Sequence, residues 1–208
     1  MSESRAYQSP RRRQQAEETR RAILGAARQL FAERGYAATA LSDIAELAGV
    51  SIPTLYSSIG SKATIARSLV EFTNEQADIP ENDRIQLATT NGPDLLRANA
   101  HLVRVLNERN GDIMRALISA AAAEPELLPT VEAGRRYHRE GEYAIARRLV
   151  EMHALRPGIS AEDAGAIITT LALPEVFAQL ALVEGWSFDK IESWLAETLI
   201  RLLLVDET

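Results

Sequence analysis

The sequence has 208 residues, 46% of them hydrophobic, and a formal net charge of -6, which suits one large globular domain or two small ones. It lacks cysteine, which excludes disulfides, thiolate metal sites and cysteine nucleophiles, and its eleven glycines form neither a GxGxxG nor a GxxxxGKS/T phosphate-binding motif. No window approaches the roughly eighteen unbroken apolar residues of a membrane-spanning helix, and the arginine-rich N-terminus is unlike a secretory signal, so we expect a cytoplasmic protein.

The charge is unevenly distributed along the chain. Residues 1–70 carry ten Lys and Arg against six Asp and Glu, whereas residues 71–208 carry thirteen against twenty-three. Arginine outnumbers lysine twenty-one to two throughout, so arginine content alone says little about binding. The change of sign indicates that the N-terminal third is the part suited to contact a polyanion.

The N-terminal region is expected to begin with a disordered basic arm. Residues 1–16, which contain Arg11, Arg12 and Arg13, show no apolar periodicity. From Ile23 the apolar residues recur with helical spacing until Gly35, a glycine suited to a left-handed helix end.

A helix-turn-helix motif follows. A short apolar stripe from Leu41 to Ala48 ends at Gly49, and Ser51 and Pro53 supply the N-cap and first turn of a new helix. Two helices joined by a short turn that contains glycine are typical of this DNA-binding motif, although any tight helical hairpin uses such residues.

The first seventy residues resemble the TetR family of bacterial transcriptional repressors. The resemblance rests on Thr19-Arg20, Ile23-Leu24, Ala26-Ala27, Leu30-Phe31, Glu33-Arg34-Gly35-Tyr36, Ala38-Thr39, Asp43-Ile44-Ala45, Ala48-Gly49-Val50-Ser51, Thr54-Leu55-Tyr56 and Ser61-Lys62. It implies an all-α fold with a helix-turn-helix domain at 17–60, after the arm at 1–16, and an effector-binding and dimerisation domain at 61–208.

The second helix of the motif is predicted to enter the major groove of DNA. Its candidate contacts are Ser51, Ile52, Pro53, Thr54, Tyr56, Ser57 and Ser58. The resemblance implies that Tyr56 and Lys62 hold the DNA backbone and that Thr39 and Ser42 contact it from the preceding helix. Tyr56 is equally consistent with a partly buried anchor.

The sequence departs from the family pattern after Tyr56. Ser57, Ser58 and Ile59 replace the usual aromatic or histidine and phenylalanine, and Ala40 stands where threonine or serine is common. Arg11, Arg12 and Arg13 could offset the lost contacts by reaching along the minor groove or the phosphates, or they could form a solvated tail.

The remainder of the chain is predicted to be helical. Breaks are expected at Gly111, Pro125, Pro129 and Pro157-Gly158, and Pro174 should interrupt a helix that starts with a capping box at Ser160 and Asp163. The last helix is expected to start after Ser187.

Two sites are predicted in this part. The resemblance implies a pocket among the middle helices, and we expect it to hold an uncharged or weakly polar, partly hydrophobic effector; its candidate lining is Phe72, His101, Leu102, Leu106, Met114, Leu117, Ile118, Tyr137 and Phe177. Apolar stripes on the last two long helices predict a homodimer interface of Ile167, Ile168, Leu171, Leu180, Ile191, Trp194, Leu195, Thr198, Leu199 and Leu202.

These patterns predict a homodimeric regulator, most simply a repressor that a small effector releases from a palindromic DNA operator. No cofactor or metal site is predicted, since the three histidines form no ligand motif. The alternative is a small helical hydrolase or lyase that uses His101 or His138 with a nearby carboxylate.

Overall fold

The computed structural model describes residues 10–76 and 88–205, except the side chains of residue 10 and residues 72–76. The helices are α1 (Pro10–Arg34), α2 (Leu41–Leu47), α3 (Ile52–Ser58), α4 (Lys62–Gln76), α5 (Gly92–Ala120), α6 (Leu128–Glu151), α7 (Ala161–Leu171), α8 (Pro174–Ala178) and α9 (Phe188–Leu203). A 3₁₀ turn, Pro125–Leu127, precedes α6, and a π-helical turn, Gln179–Val183, extends α8. Within the described ranges the only β-type pairing is the isolated bridge between Leu155 and Leu204, so the all-α prediction is confirmed.

Helix α1 begins much earlier than predicted. It starts at Pro10, so residues 10–16 are helical and the expectation of a disordered arm is wrong for them, while residues 1–9 lie outside the described part of the chain. Proline suits a first helical position, and side-chain pairs one turn apart stabilise an exposed helix without an apolar stripe. Gln14 donates to Glu18 at 3.0 Å, and Arg21 pairs with Glu17 at 3.2 Å.

The predicted helix-turn-helix motif is confirmed. Gly35 and Gly49 adopt φ angles of 79° and 67°, the left-handed conformation that glycine tolerates best. The Ser51 hydroxyl caps α3 by accepting the Thr54 backbone N–H at 3.2 Å. The chain therefore reverses between α2 and α3 within four residues, which fixes the orientation of α3 against α1 and α2.

The buried apolar side chains form two cores. The first contains residues of α1 to α4, and it continues into Ile113 and Leu117 at the end of α5 and Val131 at the start of α6. The second packs the beginning of α5 against α6, α7, α8 and α9. Helix α5 belongs to both cores, and α4 belongs to the first core together with α1 to α3. The packing therefore does not separate two domains at residues 60 and 61, and the predicted domain boundary there stays a prediction.

Helix α5 is continuous through Gly111, where the sequence predicts a break. Gly111 is buried, and an added Cβ there would lie 3.1 Å from Arg115 Nη1 and 3.6 Å from Asn107 Oδ1. Close packing on one helix face accounts for this glycine better than a chain reversal does. The 29 residues of α5 form one rod of about 43 Å.

The C-terminal helices begin and end as the sequence predicts. Ser160 and Asp163 form a reciprocal capping box at α7, Pro174 occupies the first turn of α8, and Ser187 caps α9. Helices α6 and α7 approach closely at Gly165, where a Cβ would meet the Tyr143 ring at 2.8 Å. This contact holds α7 against the wall of the cavity described below.

One helical stretch among the described residues, Ala161–Val183, is long and apolar enough to cross a membrane, with a mean hydropathy of 1.8. It contains Pro174 and Glu175, so it is not an unbroken apolar run. Only 17% of the apolar window is buried within this chain. Length and composition alone are weak evidence for a membrane span, and an exposed apolar surface also fits contact with another protein chain.

Candidate nucleic-acid interface and effector cavity

Helix α3 presents most of its predicted DNA contacts to solvent. Ile52 and Tyr56 are 45% and 53% exposed, so the exposure of Tyr56 does not fit a buried anchor. Leu55 and Ile59 point into the first core. The remaining predicted contacts on the motif are exposed at Ser42, Ser51, Pro53, Thr54 and Ser57 and half-buried at Ser58.

Hydroxyl groups near the start of α3 bond to one another. Ser51 Oγ lies 2.7 Å from Thr54 Oγ1, and the Ser57 hydroxyl donates to the Thr54 carbonyl at 3.0 Å. A hydroxyl group has one donor and two acceptor positions, so Thr54 retains hydrogen-bonding capacity for a base or a phosphate. The hydrogen bond with Ser51 also fixes the direction of the Thr54 side chain, and a residue that reads a base requires such a fixed direction.

Two residues that the resemblance places on DNA are instead used within the fold. Thr39 is 1% exposed, and its hydroxyl donates to the Gly35 carbonyl at 2.8 Å. Lys62 Nζ donates to the carbonyls of Tyr36 and Thr39 at 2.9 and 3.0 Å, and it lies 4.3 Å from the centre of the Tyr36 ring. Because both side chains satisfy the end of α1 and the loop before α2, we remove them from the predicted interface.

The basic residues at the N-terminus lie on an ordered element. Arg11, Arg12 and Arg13 are exposed on the first turns of α1, beyond the part of the helix that enters the first core. Their positive charges therefore lie at the helix-turn-helix end of the protein, where they are accessible to a polyanion.

A cavity of about 740 Å³ lies between α5, α6 and the segment from Ala172 to Glu175. Five predicted lining residues contribute to its wall: Leu102, Leu106, Met114, Ile118 and Tyr137. The Phe72 side chain lies outside the described residues. Leu117 and Phe177 are buried in the first and second cores, and His101 is exposed beside Glu192 at 3.1 Å, so these three do not line the cavity.

The cavity has a polar wall that sequence reasoning missed. Glu142 is 5% exposed, and its Oε2 accepts a hydrogen bond from Asn99 Nδ2 at 2.8 Å. Burial raises the pKa of the Glu142 carboxyl to about 7, against a smaller lowering by the Asn99 hydrogen bond. The cavity wall thus contains a buried ionisable group that the sequence analysis did not identify. The sequence feature that could have revealed Glu142 is its position one turn before the apolar Ile145 and Ala146, on the inward face of α6.

Further polar groups line the same wall. His138 Nε2 lies 3.2 Å from the Thr169 carbonyl and must donate to it, and burial lowers the pKa of this histidine. The amide nitrogen of Asn107 donates to the Val103 carbonyl at 3.0 Å, whereas its buried Oδ1 accepts no hydrogen bond from any described residue.

Of the two histidines that the enzyme alternative names, only His101 lies within hydrogen-bonding distance of a carboxylate, and this pair is outside the cavity. His138 Nδ1 is 3.8 Å from Glu142 Oε1, beyond hydrogen-bonding distance, and His101 pairs with Glu192 at the surface. In the described part of the chain, no three His, Asp or Glu side chains are grouped to hold a metal ion.

The predicted dimer surface divides into buried and accessible residues. Ile168, Ile191, Leu195 and Leu199 are fully buried in the second core, so they cannot contact a partner and their assignment to the dimer interface is wrong. The accessible or partly accessible members are Ile167, Leu171, Leu180, Trp194, Thr198 and Leu202. The π-helical turn adds Leu182 and Val183, which are 72% and 68% exposed.

Two polar contacts join the helix-turn-helix end to the cavity helices. Arg28 of α1 donates to the Arg109 carbonyl and pairs with Asp112 at 3.3 Å. Tyr36 donates its hydroxyl proton to Glu126 at 2.9 Å. Arg109 and Asp112 lie on the same two turns of α5 as the cavity residues Asn110 and Met114, so a shift of this segment would reach α1 directly.

Comparisons with known proteins agree with this architecture. Residues 23–69 match the family model described as bacterial regulatory proteins, tetR family. The HTH-type transcriptional regulator TtgR of Pseudomonas putida is 41% identical over 68 residues, which are 33% of this chain and 32% of the relative. The chain thus matches about a third of that curated relative's length.

The similarity in fold extends over most of the chain. The crystal structure of NalD, the secondary repressor of a multidrug efflux pump in Pseudomonas aeruginosa, has a TM-score of 0.70 and 24% identity, and the match covers 93% of this chain and 100% of NalD. The SmeT–triclosan complex has a TM-score of 0.74 and 23% identity, with 90% of this chain and 92% of SmeT covered.

Proposed function

We propose that the chain is a transcriptional repressor of the TetR family, whose family model matches residues 23–69, and that it binds a palindromic operator and leaves it when a small effector binds. The observation that carries this proposal is the capped helix α3, which directs Leu55 into the core while Thr54 and Tyr56 are exposed. This family is one of regulators, which disfavours the enzyme alternative.

A homodimer would supply the two-fold symmetry of a palindrome. The apolar surface of α7, the π-helical turn and α9 supports dimerisation. Within Ala161–Val183, which contains α7 and the π-helical turn, only 17% of the apolar window is buried, so much of this surface has no contact in one chain. Two α3 helices would have to lie one turn of DNA apart, about 34 to 36 Å, to read adjacent major grooves.

The cavity supports regulation by a small molecule. Its size falls within the range of ligand sites, and the SmeT relative was crystallised with triclosan, a small hydrophobic compound. An effector that favours a different position of α5 would change the spacing of the two α3 helices and weaken operator binding by its differential affinity for the two states.

Selection of bound sequences from a random DNA pool tests the proposal. We expect a two-fold symmetric operator whose affinity falls steeply with salt. Replacing Arg11, Arg12 and Arg13 with Ala should weaken binding to all sequences alike and make the salt dependence shallower.

A matched control removes three arginines that are exposed far from α3, namely Arg136, Arg147 and Arg201. This variant should bind the operator with unchanged affinity. Failure to enrich any symmetric sequence from the pool would contradict the proposed function.

A further inference from the structure

We propose that the effector of the cavity is an amphipathic cation, with an apolar body against α5 and a protonated amine that donates a hydrogen bond to Glu142. This inference rests on the proposed function for its regulatory meaning. It differs from the expectation of an uncharged or weakly polar effector, and it names Glu142 as the group in the cavity wall that selects the ligand.

Glu142 has one oxygen occupied and one available. Oε2 accepts the Asn99 amide at 2.8 Å, which fixes the plane of the carboxylate. No described residue donates a hydrogen bond to Oε1, whose neighbour His138 Nδ1 is 3.8 Å away. The available oxygen belongs to a side chain in the cavity wall, so a ligand there can supply the missing donor.

His138 does not neutralise Glu142. His138 Nε2 donates a hydrogen bond to the Thr169 carbonyl at 3.2 Å. In the neutral ring Nδ1 is therefore an acceptor, and its neighbour Glu142 Oε1 is an acceptor as well. Burial disfavours a second proton on this ring and lowers its pKa. Above the Glu142 pKa of about 7, where its carboxyl group is ionised, the two groups together present lone pairs and no donor, an arrangement that a ligand with N–H groups would complete. Binding measured at about pH 8 keeps Glu142 charged.

The arginines that line the cavity do not reverse this preference. Arg148 donates to the Thr89 carbonyl at 3.0 Å, and Arg135 is exposed, so water screens its charge. The charged group that lies within the protein is Glu142, at 5% exposure. A buried carboxylate acts on a ligand charge more strongly than an exposed arginine does, because little water separates them.

The cavity wall contains a second acceptor. Asn107 Oδ1 is buried and without a hydrogen bond from the described residues, while the Asn107 amide nitrogen donates to the Val103 carbonyl. Leu102, Leu106 and Met114 of α5 line the same cavity and give the body of the ligand an apolar surface to cover. The site therefore favours a molecule with an apolar centre and hydrogen-bond donors at its ends.

A matched pair of fluorescent probes tests the inference without DNA. The full-length chain is titrated with 4-(1-naphthyl)butylamine and with 4-(1-naphthyl)butanol, which differ in charge but share the apolar body. We expect the amine to bind at least about tenfold more tightly, because hydrogen bonds between charged groups are stronger than neutral ones. Glu142→Gln keeps an acceptor for Asn99 and should reduce the preference to about twofold or less while the alcohol binds as before.

Glu132→Gln is the matched control. It removes an exposed carboxylate of the same helix, α6, that does not line the cavity, and should leave the preference intact. Equal affinity for amine and alcohol, no amine binding up to about 1 mM, or an unchanged preference in Glu142→Gln would each overturn the inference. Operator binding is measured separately, so a chain that prefers the amine but binds no DNA refutes the proposed function and leaves the ligand class standing.

Discussion

The Tyr36 hydroxyl donates to Glu126 Oε1 at 2.9 Å and joins the loop after α1 to the turn before α6. The Tyr36 ring is 1% exposed and packs against Phe31 with 5.2 Å between ring centres. Burial and the acceptor Glu126 both raise the pKa of this tyrosine, so its proton stays on the hydroxyl near neutral pH. One side chain thus belongs to the core of the DNA-binding end and also contacts the segment that leads into the cavity.

Tyr36→Phe removes this link and keeps the buried ring. We expect the free energy of unfolding to fall by about 1 kcal/mol, since the exposed Glu126 can be rehydrated. If the link also transmits the effector signal, the effector should weaken operator binding less in this variant. Urea unfolding and operator titrations with and without ligand measure both effects.

Tyr56→Phe is the control for Tyr36→Phe, because Tyr56 is exposed and hydroxyl loss there should leave stability unchanged. A Tyr36→Phe protein as stable as the wild type would show that the hydrogen bond contributes nothing to folding.

Lys62→Met tests whether Lys62 serves the fold or the DNA. The variant keeps the apolar stem but removes the donor to the Tyr36 and Thr39 carbonyls, so unfolding should require about 1 to 2 kcal/mol less. The salt dependence of operator binding should stay as in the wild type. Arg67→Met, on the exposed face of α4, should not change stability; a shallower salt slope in Lys62→Met would mean that Lys62 contacts a phosphate.

Thr54→Ala separates base reading from phosphate binding. The lost hydroxyl and methyl should cost about 1 to 3 kcal/mol on the selected operator and leave binding to random DNA nearly intact. The measurement is the ratio of the two affinities. Because Ser51 still caps α3, the helix should keep its start, which circular dichroism checks. Equal weakening on both DNAs would make Thr54 a phosphate contact.

Leu182→Glu and Leu202→Glu test the proposed dimer surface. Each places a charge on an exposed apolar side chain of the π-helical turn or α9, and sedimentation at micromolar concentration should show monomers. Leu128→Glu changes a side chain of similar exposure, 44%, away from this surface and should remain dimeric. A dimer that survives both test substitutions would move the interface elsewhere.

The raised pKa of Glu142 predicts that the free energy of unfolding depends on pH. Its pKa is about 7 in the folded protein against an ordinary 4.5, so the folded chain binds more protons in this window and stability falls as the pH rises from 4.5 to 7. Glu142→Gln should remove this loss, and above pH 7 the variant should be more stable by at most about 3 kcal/mol.

The experiment compares chemical unfolding of both proteins across that pH range. His138, whose burial lowers its pKa, acts in the opposite sense as the pH falls, but it is present in both proteins and cancels in their difference. A stability difference that stays constant with pH would contradict the raised pKa of Glu142.

Local signals predicted the elements whose ends are determined by neighbours in sequence. Ser51, Ser160 and Ser187 each cap the helix that the sequence assigns to them. Pro174 separates α7 from α8, because proline has no N–H to continue the hydrogen bonds of a helix. Gly111 misled because a glycine can also stand within a continuous helix, where its neighbours are Asn107 and Arg115, one turn away on either side.

Side-chain roles were less predictable than helix ends. Lys62 and Thr39 are polar, and sequence alone does not show that they donate hydrogen bonds to backbone carbonyls, Lys62 to that of Tyr36 and Thr39 to that of Gly35. The polar wall was missed for a similar reason: Asn99 and Glu142 are 43 residues apart, and only the antiparallel packing of α5 and α6 brings them together.

The shared helix α5 limits how this protein can be divided for engineering. A fragment that ends at residue 60 would lack Ile65, Leu69, Ile113 and Leu117, all buried against the helix-turn-helix residues. Such a fragment would expose apolar surface and is expected to aggregate or unfold. A chimeric regulator that borrows this DNA-reading head therefore needs α4 and the end of α5. Because the end of α5 follows the second-core residues of the same helix in the chain, no single graft junction separates the two cores.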